Sequence, residues 1–193
     1  MHSFSDQAGS PYAPAAGLIQ ATDGNLYGTT AGGGTNLCGG SGCGTVFKIG
    51  LGGKLAVLYN FAGPDGSGPE AGLIQATDGN FYGTTFVGGP YVCPGSSTGC
   101  GTVFKVTPRG ELTTLHSFNG SDGSGPWAGL VQGTDGSLYG TTFNTVFKIT
   151  LGGTLTTLHT FDGTDGDSVS AGLVQATDGN FYGTTGLGGA SPY

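Results

Sequence analysis

Three kinds of side chain in this sequence could do chemistry: carboxylates set in glycine-rich turns, closely paired cysteines, and single residues that interrupt a regular repeat. The segment Phe161-Asp162-Gly163-Thr164-Asp165-Gly166-Asp167 places three carboxylates among glycines. Ca²⁺ takes several hard oxygen ligands from flexible loops, so Asp162, Asp165 and Asp167 are the candidate metal ligands. The segment lacks the distal glutamate of an EF-hand, and no other cofactor is indicated. Asp65 and Asp122 stand at the position of Asp165 in other copies of the repeat, each followed by glycine. A residue that every turn needs will recur, so the competing reading is an aspartate bonded to its own loop backbone.

The cysteines form two close pairs, Cys38/Cys43 and Cys93/Cys100, each in a glycine-rich loop. Zinc asks for histidines or paired CxxC motifs, and here the spacings are longer and the histidines lie in other segments. Local disulfides that staple long loops fit better, and they imply an oxidising compartment.

Residues that break the repeat are the candidate ligand-binding positions. After the Gly-Pro of one connecting loop stands Glu70, and at the same place in the next copy stands Trp127, the single tryptophan. Tyr91, like Tyr12, lies on a loop expected on the same face. An exposed aromatic beside polar loops can stack on a sugar ring, whereas a buried one would plug a junction between repeats. His116 and His159 recur on one strand where Tyr59 replaces them, which reads as packing rather than as a general base. Gln20, Gln75, Gln132 and Gln175 either line a central channel or bond between repeats. No G-x-S-x-G, H-E-x-x-H or Cys/His dyad occurs, so no catalytic residue is assigned.

What must position these groups is a segment that appears four times, AGLIQATDGNFYGTT and its variants, from Ala16, Ala71, Ala128 and Ala171. The copy at Ala71 reads as a first strand over 72–76 and a tight Asp-Gly turn at 77–80, expected as type I′. A second strand follows over 81–85 and the cysteine loop over 86–100. A third strand is expected over 101–106, a Pro-Arg-Gly turn at 108–110 and a fourth strand over 111–118. Each strand is short, β-branched or aromatic, and bounded by Gly, Pro, Asn or Asp. Such a sheet cannot bury both faces alone, and radial packing of several gives a propeller. The expected fold is therefore all-β: one domain over 1–193, a small propeller of four-stranded antiparallel blades. Repeats fall near 16–61, 71–118, 128–161 and 171–185 plus 2–4. Strands from both chain ends close the ring, with 187–193 as a poor third strand. Four blades are expected; a fifth built partly from 5–15, or a ring completed by a second copy, are the alternatives. The loops joining strands two to three, and strand four to the next blade, share one face, which is where binding is expected.

Composition agrees. The 43 glycines without a collagen period mark tight turns, and 11 Phe with 8 Tyr argue against disorder. The net charge of −7, from five cations against twelve acids, leaves no basic stripe for nucleic acid. No apolar run approaches the about 20 residues that span a bilayer. Met1 is followed at once by repeat sequence, so the chain reads as part of a longer exported protein with no signal peptide of its own.

The pattern F-x-G-x-D-G-S-x-P-x-A-G-L-I-Q-A-T-D-G-N-F-Y-G-T-T…G-T-V-F-K-I…G-x-L-T-T-L-H-S-F resembles the GloVer repeat, a glycine-rich tandem repeat of exported bacterial proteins. More distantly, G-L-x-x-x-x-D-G-N-x-Y followed by F-K-I-T-x-x-G-x-L is similar to blades of virginiamycin B lyase; its catalytic His and Glu are not carried over residue by residue, so the resemblance supports the fold and not the chemistry. The resemblance implies a cell-surface or extracellular propeller. Two functions follow as expectations: binding of a glycan or other small ligand on the loop face, or a lactone-opening hydrolase or lyase. The latter would use Ca²⁺ as propellers of the gluconolactonase kind do. A purely structural surface array is a third reading.

Overall fold

The computed structural model describes residue 4 and residues 10–94 and 97–189. These contain strands and turns but no helix. The first blade holds β1 (Ile19–Gln20), β2 (Leu26–Thr30), β3 (Thr45–Ile49) and β4 (Leu55–Asn60). The second holds β5 (Ile74–Gln75), β6 (Phe81–Thr85), β7 (Thr102–Val106) and β8 (Leu112–Ser117). The third holds β9 (Val131–Gln132), β10 (Leu138–Thr141), β11 (Thr145–Ile149) and β12 (Leu155–Thr160). Each is an antiparallel meander with its strands side by side in chain order. The fourth blade consists, among the described residues, of β13 (Val174–Gln175) and β14 (Phe181–Tyr182). The fold is a β-propeller with blades packed face to face. The proposed closing segments at residues 2–3 and 190–193, and residues 5–9 of a possible fifth blade, lie outside the described residues. Phe4 lies edge-on to Phe47 at 5.3 Å, as Phe61 does to Phe104 and Phe118 to Phe147. It thus stands where the last aromatic of a preceding blade would stand.

The core lies between blades. Tyr27, Val46 and Phe61 of the first blade pack with Leu73, Phe81, Phe104 and Val106 of the second. Tyr82, Val103 and Phe118 of the second pack in the same way with Leu130, Leu138, Phe147 and Ile149 of the third. Period-2 alternation puts Val46 and its equivalents on one side of a blade and Phe47 and Ile49 on the other, so both faces are buried by neighbours. Gln75, Gln132 and Gln175 tie the blades together, whereas Gln20 bonds the Gly24 carbonyl of its own hairpin. The Thr22 amide donates to Gln75 Oε1 at 2.9 Å, Thr77 to Gln132 at 3.0 Å and Thr134 to Gln175 at 2.9 Å.

The Asp-Gly hairpin differs from the type I′ expectation. The Gly24 amide donates to the Ala21 carbonyl, and of the turn residues only Gly24 has positive φ, 80°. This is a type I turn followed by a left-handed glycine. Its cause is the aspartate: Asp23 Oδ1 accepts the Asn25 amide at 3.0 Å and Oδ2 accepts the Tyr27 hydroxyl at 2.8 Å. Asp78, Asp135 and Asp178 repeat the arrangement with Tyr82, Tyr139 and Tyr182. These aspartates hold the hairpins.

Candidate functional site

The two classes of loop expected to share a face do so. The loop after β4 bridges the loop after β6 at Ser67–Val87, and the loop after β12 bridges the one after β14 at Asp167–Leu187. The disulfides Cys38–Cys43 and Cys93–Cys100 span Cα–Cα distances of 5.0 and 4.9 Å. No free cysteine occurs, which removes the zinc alternative. Cys43, Cys93 and Cys100 are buried, so each bridge anchors its loop to the blade beneath.

Around the second disulfide loop the surface is grooved. A cleft of about 420 Å³ runs between the two cysteine loops, with Cys38 and Gly39 on one side and Val87, Tyr91 and Thr98 on the other. A second, of about 360 Å³, lies between Pro90–Tyr91 and the end of β8 at His116 and Ser117. Tyr91, 51% exposed, is the ridge common to both. On the far side of the loop a cavity of about 230 Å³ is lined by Phe86, Phe143, Ser124 and the disulfide residue Cys93.

Trp127 does not line these clefts. Its ring lies edge-on to Phe86 at 4.7 Å and tilted against Phe143 at 6.3 Å, with 43% of the residue exposed. It therefore caps the junction of the second and third blades and also faces solvent. Glu70, its counterpart one blade earlier, is half-buried, and burial raises its carboxyl above the usual glutamate range. The structure thus places Tyr91 beside the clefts and Trp127 beside the cavity, on opposite flanks of one disulfide-pinned loop.

The acidic turn is organised inward on its own backbone. Asp162 Oδ1 accepts the Thr164 amide at 2.9 Å and the Thr164 hydroxyl at 2.6 Å, and the hydroxyl bond holds its carboxyl below the usual range. Asp165 Oδ1 accepts the Asp162 amide at 3.1 Å, and Asp167 Oδ1 accepts the Ser168 amide at 2.6 Å. Asp162, Asp165 and Asp167 are not brought together as a ligand set. Among the described residues no three His, Cys, Asp or Glu side chains group as a metal site.

Two features escaped the sequence reading. His116 Nε2 meets Asp122 Oδ2 at 2.8 Å and His159 Nε2 meets Asp165 Oδ2 at 2.7 Å. In the first blade the Tyr59 hydroxyl donates to Asp65 Oδ2 at 2.5 Å. A donor at the end of the fourth strand thus reaches the aspartate six residues on. The common register of Tyr59, His116 and His159 was the available signal, since imidazole and phenol share only a hydrogen-bond donor on an aromatic ring. The other feature is the Phe86–Trp127–Phe143 cluster. Its signal was the change from Ala31 to Phe86 and Phe143 immediately after the Thr-Thr of the second strand.

Repeated four-strand sheets with inter-blade cores and loop-face clefts pinned by disulfides define a small β-propeller module. The sequence profile of the Gloeobacter/Verrucomicrobia repeat matches residues 91–193, and the chain belongs to that family. No curated protein sequence matches the chain. Among solved structures it is similar to a catalytically inactive virginiamycin B lyase from Staphylococcus aureus with quinupristin. That match has a TM-score of 0.62 and 16% identity, over 89% of this chain and 48% of the lyase. A gluconolactonase from Xanthomonas campestris is similar at a TM-score of 0.55 and 18% identity, over 94% of this chain and 56% of that one. The chain therefore spans about half the length of the propellers it matches. At these identities the likeness establishes the fold alone.

Proposed function

We propose that the chain is a binding module of an exported bacterial protein that holds a glycan on its loop face. The observation that carries this reading is Tyr91, a half-exposed aromatic ring flanked by two clefts and fixed on a disulfide-bound loop. Sugar rings present C–H faces that stack on aromatics and hydroxyls that bond to loop backbone, and both are offered here. The two disulfides and the excess of acidic residues fit an extracellular setting. Titration with a panel of oligosaccharides tests it, read by the fluorescence of the single Trp127 and by calorimetry. Saturable binding that Tyr91→Ala weakens at least tenfold, with the fold intact, supports the reading; no heat from any saccharide overturns it.

A second reading is a lactone-opening hydrolase or lyase, favoured by His116, which lines the cleft beside Tyr91. The Tyr59–Asp65 pair in the equivalent place argues for a structural duty instead. Lactone opening that His116→Gln abolishes would establish the enzyme, and sensitivity to EDTA would bring Ca²⁺ into it.

A further inference from the structure

Between the third and fourth blades lies a cavity of about 370 Å³ lined by Val146, Phe161, Leu173, Phe181 and Gly183. Its lining matches, residue for residue, a socket that occurs between the other full blades among the described residues and is filled there. Between the first and second blades the corresponding residues are Val46, Phe61, Leu73, Phe81 and Gly83, and the ring of Phe104 sits among them. Between the second and third they are Val103, Phe118, Leu130, Leu138 and Gly140, and the ring is that of Phe147. In each case the ring comes from the third strand of the following blade, in a Thr-Val-Phe-Lys sequence.

The surroundings repeat the same request. Among the described residues nothing pairs with the free edge of β14. In the register of β10 with β11, Gly140 stands opposite Phe147 and Tyr139 opposite Lys148, so a strand added at Gly183 and Tyr182 would set a phenylalanine and a lysine against them. Thr185 holds the place of Thr85 and Thr142, whose hydroxyls bond the first threonine of their third strands at 2.9 and 2.7 Å. Asp178 holds the place of Asp135, which pairs with Lys148 at 2.7 Å. The carbonyls of Leu58 and Leu115 closely approach Gly110 and Gly153, the hairpin glycines of the following blades. Leu158, their counterpart, is 50% exposed.

We propose that the cavity and the open edge of β14 form a docking site for the third-and-fourth-strand hairpin of a further repeat unit, bound by strand addition. Its phenylalanine enters the socket, its threonine bonds Thr185, its lysine pairs with Asp178, and its hairpin glycine meets the Leu158 carbonyl. A second intact copy of this chain is not the occupant, because its β3, β7 and β11 are already paired on both edges.

The test uses the full chain and a fluorescent peptide of sequence 101–118, Gly101 to Phe118, which carries one such hairpin. Saturable binding is expected, with exchange protection of the Phe181–Thr185 amides. Alanine in place of Phe104 in the peptide weakens binding at least tenfold. Gly183→Val in the chain does the same, since its side chain would occupy the socket. Its φ is not positive, and its Cβ meets the flexible end of Leu173 at 2.8 Å and the Gly172 carbonyl at an ordinary 3.9 Å, so a nearly unchanged melting profile is expected for the variant alone. Absence of binding by the folded chain overturns the proposal. So does binding that ignores both substitutions. Self-association that buries Phe181 without peptide assigns the site to a second copy, and contacts between Phe181 and Tyr193 in the free chain assign it to the chain's own end; either result also overturns it.

Discussion

The ring of Phe104 lies on Gly83, its Cζ 2.7 Å from where a Cβ on that glycine would stand. Leu73 closes the other side at 2.9 Å. Phe47 and Gly28, and Phe147 and Gly140, repeat the contact at 2.8 and 2.6 Å. The glycine of the Tyr-Gly-Thr-Thr strand is thus a packing device: it lowers the strand surface by one methyl so that the ring tip of the phenylalanine opposite can approach it.

Gly83→Ala forces the ring off this surface in a closed core. Overpacking of this sort costs about 2 kcal/mol. For a chain of this length that is a fall in melting temperature of roughly 6 °C. Gly183→Ala, with no ring above it among the described residues, is expected to change the melting temperature little. Calorimetric scans of the two variants side by side check the contrast.

A second prediction concerns backbone. Ala13 and Ser168 have φ of 54° and 56°, at positions where the other two connecting loops carry Gly68 and Gly125 at 63° and 58°. A side chain in the left-handed region costs about 1 kcal/mol. Ala13→Gly and Ser168→Gly should each raise stability by about that amount less the added freedom of the unfolded chain. Urea melts showing both variants destabilised would contradict this.

The strands were legible because their signal is local. Phe81–Thr85 follows from aromatic and β-branched residues between Asn80 and the glycine loop, and the third and fourth strands agree with expectation to within a residue at each end. The cysteine loops were legible as disulfides because the pairs are close in sequence. The site was less so. Gln75 reaches back to Thr22, 53 residues earlier, and sequence offers no register for a bond between blades. The turn at Asp23 was misread because a dipeptide rule for Asp-Gly ignores the tyrosine hydroxyl that claims the carboxylate. The acidic run at 162–167 suggested a metal by composition, whereas each carboxylate there accepts from its own loop. Trp127 was visible as an oddity, but its partners Phe86 and Phe143 come from two different blades.

Alkaline pH should unfold the protein. Burial first, and then the hydrogen bond to Asp23, push the Tyr27 phenol up to about 12. Burial and Asp65 do the same for Tyr59, also to about 12. A pKa raised in the folded state stabilises fully below the unfolded value near 10, and that contribution is lost as pH climbs from 10 to 12. Urea midpoints should therefore fall across this window. Absorbance at 295 nm should show part of the tyrosine titrating late, together with loss of structure. In Tyr59→Phe the decline should be shallower, and an identical slope would argue against the assignment.

The last prediction separates the two disulfides by what they hold. Each closes a short loop, and chain-entropy arguments give about 2 kcal/mol for either. Cys38→Ser/Cys43→Ser and Cys93→Ser/Cys100→Ser should therefore lower stability by similar amounts in denaturant melts. Their effects on ligand binding should differ. The Cys93–Cys100 bridge pins the 86–100 loop, in which Tyr91 lies two residues before Cys93, and that loop supplies walls to the clefts on one flank and the Phe86–Phe143 cavity on the other. The Cys38–Cys43 loop contributes Cys38 and Gly39 to one rim. A saccharide bound at Tyr91 should thus lose at least tenfold in affinity when the second bridge is removed and no more than about threefold when the first is, since about 1.4 kcal/mol of ordering free energy corresponds to each factor of ten. Equal losses would place the ligand between the two loops rather than on the Tyr91 ridge.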